Sequence, residues 1–508
     1  MNTSNQLKAG ALLSYVNMAI STVIPFLYTP IMLEVLGQAE YGLYSLSNSV
    51  ISYLSLLTLG LGSTIHRYYM QALTAKDHDR LGRITGLFVV IYSVIAVITV
   101  ASGFLLTNFT GTLFAKGLTA SEMEKLNILI VIMTGSTGVS LLAVPFSSVI
   151  VCHERYVFLK LLSIVGTIVA PVANLAVLYA GYASVGMACA GMALQIMILF
   201  AYVWYSCRCI HVVPRFVNLP IDLLKEIFGF TFYVFIASIA DLLYWSTDKV
   251  LIGAMIGSKA VAVYNIGVTF NSMLQQLSSA ISSVFGPRVN HLVFSGRPTS
   301  EISELMIRVG RIQYLVIALV LAGFITFGRA FLLLWVGPEY DEAYDVALFT
   351  MLPMAIPLIQ NLAFNTIVAM NKHQFRSILY VILAVANVVA TYLLLPVMGI
   401  IGAALCTCVV FVLGNGFIIN WYYKCRIGLD IIGFWKNIIR MTLVPVALTV
   451  VGVFLENTVL PIRTPAHLMC GVTVFTCAYF VMSWLFSMNP YEKGLVCSMV
   501  NKLLRRHG

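Results

Sequence analysis

Residues Ile84–Thr107 read ITGLFVVIYSVIAVITVASGFLLT, a run without one charged side chain. An α-helix needs about 20 mostly apolar residues to cross the hydrocarbon core of a bilayer. In lipid, a spanning segment must also bond its own backbone N–H and C=O groups, and a helix does this. The stretch therefore predicts a membrane-spanning helix.

Thirteen further stretches have a similar length and character, and their apolar residues are continuous rather than alternating. Continuous runs of this length favour helices over strands. We therefore predict an all-α fold, a polytopic integral membrane protein of about fourteen transmembrane helices. The predicted spans are residues 7–33, 41–66, 84–107, 126–151, 157–180, 184–206, 228–256, 261–286, 309–335, 344–370, 375–395, 399–422, 436–456 and 466–487.

The composition of the whole chain agrees with this prediction. Of its 508 residues, 60% are hydrophobic and only 10% are charged, whereas soluble domains carry about 25% charged residues. The net charge of +10 does not indicate nucleic acid, because most basic residues lie in short loops on one predicted side. This positive-inside bias places both the N-terminus and the C-terminus in the cytoplasm.

The sequence shows no set of residues typical of a cofactor site, a metal site or an enzyme. The run CRCIH at 207–211 lacks a complete set of four zinc ligands. Walker A, H-E-x-x-H and G-x-S-x-G motifs are all missing from the sequence. We therefore expect no cofactor, no metal and no catalytic residues.

The two halves of the chain resemble each other weakly, at an offset between 213 and 221 residues. The repeat superimposes spans 1–6 on spans 7–12 in the same membrane orientation, an arrangement found in several transporters. It predicts an N-lobe over 1–215, a C-lobe over 216–430, and spans 13–14 with an amphipathic tail over 431–508. The matched pairs are GQAEYGLY (37–44) with GSKAVAVY (257–264), VAN (172–174) with VAN (385–387), VGMA (185–188) with IGAA (401–404), and WY (204–205) with WY (421–422).

Two segments outside the spans have an amphipathic pattern, Pro220–Phe230 and Glu492–Arg506. Each is interpreted either as a helix that lies on the inner leaflet or as a helix that caps the cytoplasmic end of the bundle.

Charged residues inside a span are costly and usually face a cavity or a partner. Asp241, Asp248 and Lys249 lie in predicted span 7, and we interpret them as candidate coupling or gating residues. The alternative is a structural ion pair.

Further polar residues on spans 2, 8 and 10 are candidates for substrate binding. Guanidinium groups suit phosphate because they offer paired donors, and amides suit hydroxyl-rich ligands. Anchoring of the positive-inside kind, or hydrogen bonding between helices, remains the alternative for each of them. The candidates are His66, Arg67, Asn271, Gln275, Arg288 and Asn365.

Three motifs carry a resemblance to a known family: GQAEYGLY at 37–44, LTLGLGSTIHRY at 57–68 and WSTDKVLI at 245–252. In these motifs the chain resembles bacterial O-antigen-type flippases of the multidrug/oligosaccharidyl-lipid/polysaccharide exporter superfamily. The resemblance implies that spans 1, 2, 7 and 8 line a central cavity. It matches Arg67 to a basic residue at the end of span 2, and Asp248 and Lys249 to an acid–base pair in span 7.

The function implied by the resemblance is translocation of an undecaprenyl-pyrophosphate-linked oligosaccharide across the bacterial cytoplasmic (inner) membrane, for synthesis of lipopolysaccharide O-antigen or a similar surface polysaccharide. Expected partners are that lipid-linked oligosaccharide, membrane lipid, H⁺ or Na⁺, and other polysaccharide-assembly proteins, with no nucleic acid. A cation-coupled multidrug exporter of the same superfamily is the first alternative. A membrane polysaccharide polymerase or ligase is the second.

Overall fold

The computed structural model describes residues 3–58, 61–75, 77–219, 239, 242, 246–458 and 462–504. Over these residues the chain forms helices and contains no β-strand, which confirms the predicted all-α fold. By internal contacts the chain divides into two compact units, Met1–Ala262 and Val263–Gly508.

The first unit is built mainly from long helices. Helix α4 packs on α5, α5 packs on α7, and α1 packs on α6. Aromatic side chains at the centre are almost fully buried, among them Tyr69, Phe88 and Tyr92. The helices are α1 (Thr3–Leu36), α2 (Gln38–Ser52), α3 (Leu61–Thr74), α4 (His78–Leu113), α5 (Ala120–Cys152), α6 (Tyr156–Tyr179), α7 (Ala183–Trp204) and α8 (Thr247–Met255).

The second unit begins inside α9 (Ser258–Phe294). Helix α10 packs along α11 and α14, and α11 packs on α13. The remaining helices are α10 (Thr299–Trp335), α11 (Glu342–Ile359), α12 (Asn361–Ala369), α13 (Gln374–Phe411), α14 (Ile431–Thr458), α15 (Pro465–Met482) and α16 (Pro490–Leu504).

Ten helical segments among the described residues are long and apolar enough to cross a membrane. One of them, Gln374–Ile427, contains two predicted spans, which separate at Gly399, where φ is +59°. The ten segments thus cover eleven of the fourteen predicted spans. The other three are span 2, which is divided, span 8, and span 7, most of which lies outside the described residues together with the amphipathic segment Pro220–Phe230. Most of the candidate site residues lie in or next to these three spans.

Predicted span 2 is not one continuous helix. Helix α2 ends at Ser52, a 3₁₀ turn follows over Tyr53–Thr58, and α3 begins at Leu61. Predicted span 10 is also divided, because α11 ends at Ile359 and α12 begins at Asn361. Pro353 and Pro357 lie inside α11, and each removes a backbone donor that a regular helix would use.

The segment that follows α7 is fixed to α4 by close backbone contact. The Arg215 N–H donates to the Gly82 carbonyl over 2.9 Å, and the Arg215 guanidinium pairs with Asp79. A Cβ atom on Gly86 would lie 2.1 Å from the Arg215 carbonyl oxygen. This contact holds the chain against the first unit up to the predicted lobe boundary at residue 215. The division by contacts falls later, after Ala262, and the repeat of spans 1–6 in spans 7–12 stays a prediction.

A methyl group at position 86 tests this docking. We expect Gly86→Ala to lower the melting temperature of the purified protein by about 2–4 °C, since backbone cannot move aside as a flexible side chain can. Gly111→Ala, in the same helix but with open space around the glycine, should leave it unchanged or raise it. Equal melting temperatures for the two variants would contradict the docking.

Candidate functional site

The end of α2 and the start of α8 meet through hydroxyl groups. Ser52 Oγ donates to Ser246 Oγ over 2.9 Å. The Tyr53 and Thr247 hydroxyls are 2.5 Å apart and bond to each other. This junction joins predicted spans 2 and 7, and we call it the hydroxyl junction. The sequence did not indicate that these four residues are in contact.

Asp248 lies directly beside the hydroxyl junction. Asp248 is only 3% exposed. Its negative charge interacts electrostatically with Tyr53 and Lys249. Lys249 is partly buried. Burying a carboxylate in a membrane-spanning segment costs free energy, so such groups usually pair with another group or serve a function. Asp241, the other predicted carboxylate of this span, lies outside the described residues.

The connection between α8 and α9 packs tightly on the ends of α2 and α5. Ser258 Oγ donates to Glu122 Oε1 over 2.5 Å. A Cβ on Gly42 would lie 1.8 Å from the Ser258 carbonyl oxygen, and one on Gly117 would lie 2.2 Å from the Gly253 carbonyl oxygen. Only glycine permits such a close approach of backbones at these two positions. The docked tip extends from Gly253 to Ser258.

Glu40, in the first turn of α2, binds two other helices of the same unit. It pairs with Lys125 of α5 and accepts a hydrogen bond from Ser184 of α7. Burial raises the pKa of Glu40, but the bonds from Lys125 and Ser184 outweigh burial and leave the pKa below its ordinary value. Sequence reasoning missed this cluster, although Glu40 is part of the family motif at 37–44.

His66 and Arg67 lie on α3. His66 Nδ1 is 3.4 Å from Cys152 Sγ, and the next turn is anchored by a 3.0 Å hydrogen bond between Tyr69 OH and His153 Nε2. Arg67 is exposed, and its Cζ lies 5.9 Å from the centroid of the Tyr68 ring. His66 thus packs against α5 while Arg67 remains accessible.

The amide candidates of the second unit have different environments. Asn271 is 3% exposed, and neither atom of its amide has a hydrogen bond to any residue that the structure describes. Gln275, one turn further on α9, is exposed. Asn365 is partly buried and lies across from Gly286 of α9. The structure therefore places Asn365 and α9 together but gives Gln275 and Asn271 different surroundings.

Arg288 borders a small polar cavity near the end of α9. The cavity has a volume of about 210 Å³ and lies between α9 and the first turns of α10. Its lining residues are Arg288, Leu292, Glu301, Glu304, Leu305 and Arg308. Arg308 was not a candidate in the sequence, because it precedes the predicted span. We call this cavity the Arg288 pocket.

Comparison with known proteins agrees with the sequence motifs. The family described as "Polysaccharide biosynthesis protein" matches residues 7–293, more than half of the chain. The uncharacterized membrane protein EpsK of Bacillus subtilis (strain 168) is 22% identical over 499 residues, which cover 95% of this chain and 96% of that protein.

Two kinds of solved structure share the fold. The lipid II flippase MurJ in an inward closed conformation has a TM-score of 0.76 at 12% identity, covering 94% of this chain and 98% of that chain. An inward-facing multidrug resistance MATE family transporter has a TM-score of 0.60 at 13% identity, covering 83% of this chain and 99% of that chain.

These likenesses define the class: a multi-pass membrane protein with the fold of the multidrug/oligosaccharidyl-lipid/polysaccharide exporter superfamily. Within it, the chain belongs to the polysaccharide biosynthesis protein family. The resemblance predicted from the motifs is thereby confirmed.

The docked tip gives a local prediction. Gly42→Ala places a methyl group against the Ser258 carbonyl oxygen, so we expect the tip to move away and residues 253–262 to exchange amide hydrogen faster. Hydrogen–deuterium exchange of the purified protein measures this, with Gly111→Ala as the control. Unchanged exchange in Gly42→Ala would show that the tip does not depend on the close approach.

Glu40 gives a prediction of pH dependence. Because its pKa is lowered in the folded protein, its stabilising effect is present above its ordinary pKa and is lost as the pH falls through the folded pKa. We expect Glu40→Gln to lower the melting temperature at pH 7, with a difference from the unsubstituted protein that shrinks below about pH 4.5.

The matched control is Glu124→Gln, because Glu124 is an exposed carboxylate of α5, next to Lys125 in the sequence. This variant should melt like the unsubstituted protein at every pH. A Glu40→Gln difference that stays constant down to pH 3 would contradict the role of the Glu40 charge.

Proposed function

We propose that the protein is a flippase that moves an undecaprenyl-pyrophosphate-linked oligosaccharide from the inner to the outer leaflet by alternating access. The family match supports a role in polysaccharide biosynthesis, and the fold is shared with a lipid II flippase. The observation that carries the proposal is the polar character of predicted span 8, because α9 (Ser258–Phe294) is long enough to cross a membrane but is not among the helical segments apolar enough to do so. Helices that border a path for a sugar head group need polar side chains, whereas lipid-facing helices do not.

In this proposal the polar residues in or next to predicted spans 2, 8 and 10 divide the work of binding. Arg67 and Arg288 would each bind phosphate oxygens of the substrate, because guanidinium groups donate two parallel hydrogen bonds to such oxygens. His66, Asn271, Gln275 and Asn365 would bond sugar hydroxyls, which both donate and accept.

Asp248 would couple transport to an ion. It is buried beside the hydroxyl junction and next to Lys249, so H⁺ or Na⁺ binding there neutralises the Asp248 carboxylate at the contact between spans 2 and 7. Loss of that charge changes the electrostatic free energy of the contact, and this difference lets an ion gradient bias opening and closing. Asp241 would assist from the same span.

The setting follows from the same proposal. The protein would lie in the bacterial cytoplasmic membrane with both termini in the cytoplasm, in accord with the distribution of basic residues. Its partners would be the lipid-linked oligosaccharide and other polysaccharide-assembly proteins, such as those that assemble O-antigen. It would act without a cofactor.

Two substitutions test the transport role. We expect Arg67→Ala and Asp248→Ala each to reduce surface-glycan export by about tenfold or more, while the protein remains in the membrane. The first removes a charge-assisted contact with phosphate, and the second removes the carboxylate that would bind the coupling ion. Complementation of a strain that lacks the protein, read by surface-glycan immunoblot and membrane immunoblot, measures both. Arg440→Ala, at an exposed arginine of α14, is the control.

Normal export in both variants would contradict the assignment of these residues. A strain that lacks the protein, keeps its surface glycan and becomes sensitive to cationic drugs would instead support the multidrug exporter, which shares the fold.

A further inference from the structure

The last helix of the chain is fastened to the second unit by a buried ion pair. Arg311 Nε and Nη2 donate to the two carboxylate oxygens of Glu492 over 2.6 and 3.0 Å. The side chains of Arg311 and Glu492 are only 8% and 3% exposed. Arg311 also donates to the Ser487 carbonyl over 2.9 Å and to Asn437 Oδ1 over 3.2 Å. One guanidinium thus joins α10, α14 and the start of α16.

The same carboxylate also sets where α16 begins. The Asn489 N–H donates to Glu492 Oε2, and the Glu492 N–H donates to Asn489 Oδ1, each over 2.9 Å. Such a reciprocal pair satisfies two amides that the helix itself leaves unbonded. The first turn of α16 is therefore held in one place and one orientation, which for this part of the tail favours the predicted cap of the bundle.

This fixed turn brings Tyr491 to the edge of the Arg288 pocket. The Arg308 Cζ lies 4.7 Å from the centroid of the Tyr491 ring, within the range of a cation–π interaction. On its other side, Arg308 Nη2 is 2.8 Å from Glu304 Oε1. The ring and the carboxylate together limit the positions that Arg308 can take in the pocket.

The charges around the Arg288 pocket leave one cation in excess. Glu304 pairs with Arg308, and Glu301 lies 3.7 Å from Arg297. Arg288 is exposed and makes no hydrogen bond or ion pair with the part of the chain that the structure describes. Because the carboxylates of Glu301 and Glu304 are both paired, the N–H groups that remain available to an anion are those of Arg288 and the unpaired ones of Arg308.

We propose that the Arg288 pocket binds a phosphate group and that the first turn of α16, through Tyr491, is the positioning element that keeps Arg308 in the pocket. Two guanidinium groups around a cavity of about 210 Å³ suit a small anion with several acceptor oxygens. The volume suits a phosphate group better than a sugar chain. That this phosphate belongs to the transported lipid rests on the proposed function. That the pocket binds a phosphate group does not.

The experiment measures binding to the full-length protein in a neutral detergent. The probes are inorganic pyrophosphate, farnesyl pyrophosphate and, in a separate arm, vesicles of phosphatidylglycerol in phosphatidylcholine. We expect binding of a phosphate probe to weaken about tenfold in Arg288→Ala, which loses charge-assisted hydrogen bonds, and about threefold in Tyr491→Leu, which loses the cation–π contact. Arg440→Ala should bind like the unsubstituted protein.

A conservative pair separates positioning from general stability. Tyr491→Phe keeps the aromatic ring and should keep the affinity, whereas Tyr491→Leu should not, with both variants melting at the same temperature. Equal affinity in the Phe and Leu variants would overturn the positioning role. Glu492→Gln, if it folds, should lower affinity as Tyr491→Leu does.

The probes distinguish the sources of the phosphate. Binding of both pyrophosphates that Arg288→Ala weakens supports a site for the transported lipid's phosphate. Binding confined to phosphatidylglycerol vesicles, and lost in Arg288→Ala, supports a headgroup of bulk lipid in the same pocket. No binding by any probe, or binding unchanged in Arg288→Ala, overturns the site. The export assay tests the proposed function, whereas this binding assay tests the Arg288 pocket. One proposal can therefore fail without the other.

Discussion

In the hydrocarbon core of a membrane, every backbone N–H and C=O must be bonded within the protein, and this constraint governs where the helices of this chain break. Unbroken runs such as α4 satisfy it by themselves. At the divided span 10, the side-chain amide of Gln360 donates through Nε2 to Asn420 Oδ1 over 2.7 Å. Asn420 Nδ2 in turn donates to the Asn415 and Gly416 carbonyls, in a π-helical segment where regular bonding shifts. At this break, the buried side chains of Gln360 and Asn420 therefore bond to each other and to the neighbouring π-helical segment.

The same constraint limits how helices can associate. Lipid tails are as apolar as leucine, so spanning helices associate through close packing and hydrogen bonds rather than by a hydrophobic effect. The first unit does this with glycines at three backbone contacts, at Gly42, Gly86 and Gly117. Gly42 and Gly86 lie in helices and Gly117 lies in the turn between α4 and α5, and at each of them a carbonyl oxygen of a second chain segment approaches closely. These contacts fix the segment before residue 215 and the tip after α8 to the first unit, which explains why the division by contacts falls at Ala262.

Buried charges add specificity to this packing. Asp248 and the Arg311–Glu492 pair are both almost fully buried, yet they differ in how their charge is satisfied. The guanidinium of Arg311 has four short contacts and ties three helices together, which is typical of a structural pair. Asp248 lies beside the hydroxyl junction and next to Lys249 in the same helix. The Arg311–Glu492 pair is therefore structural, whereas the coupling role of Asp248 is part of the proposed function.

The sequence by itself determined the all-α membrane fold, the positions of most spans and the family, because long apolar runs and short motifs are local properties of the chain. It also located Asp248, Arg67 and Arg288 by their unusual place near or inside such runs. Only the tertiary structure decided that Ser52 and Tyr53 meet Ser246 and Thr247, that Glu40 binds Lys125 and Ser184, and that Tyr491 reaches Arg308. These contacts join residues 85–194 positions apart in the chain. Periodicity and composition report which face of a helix is apolar, but not which distant segment that face will meet.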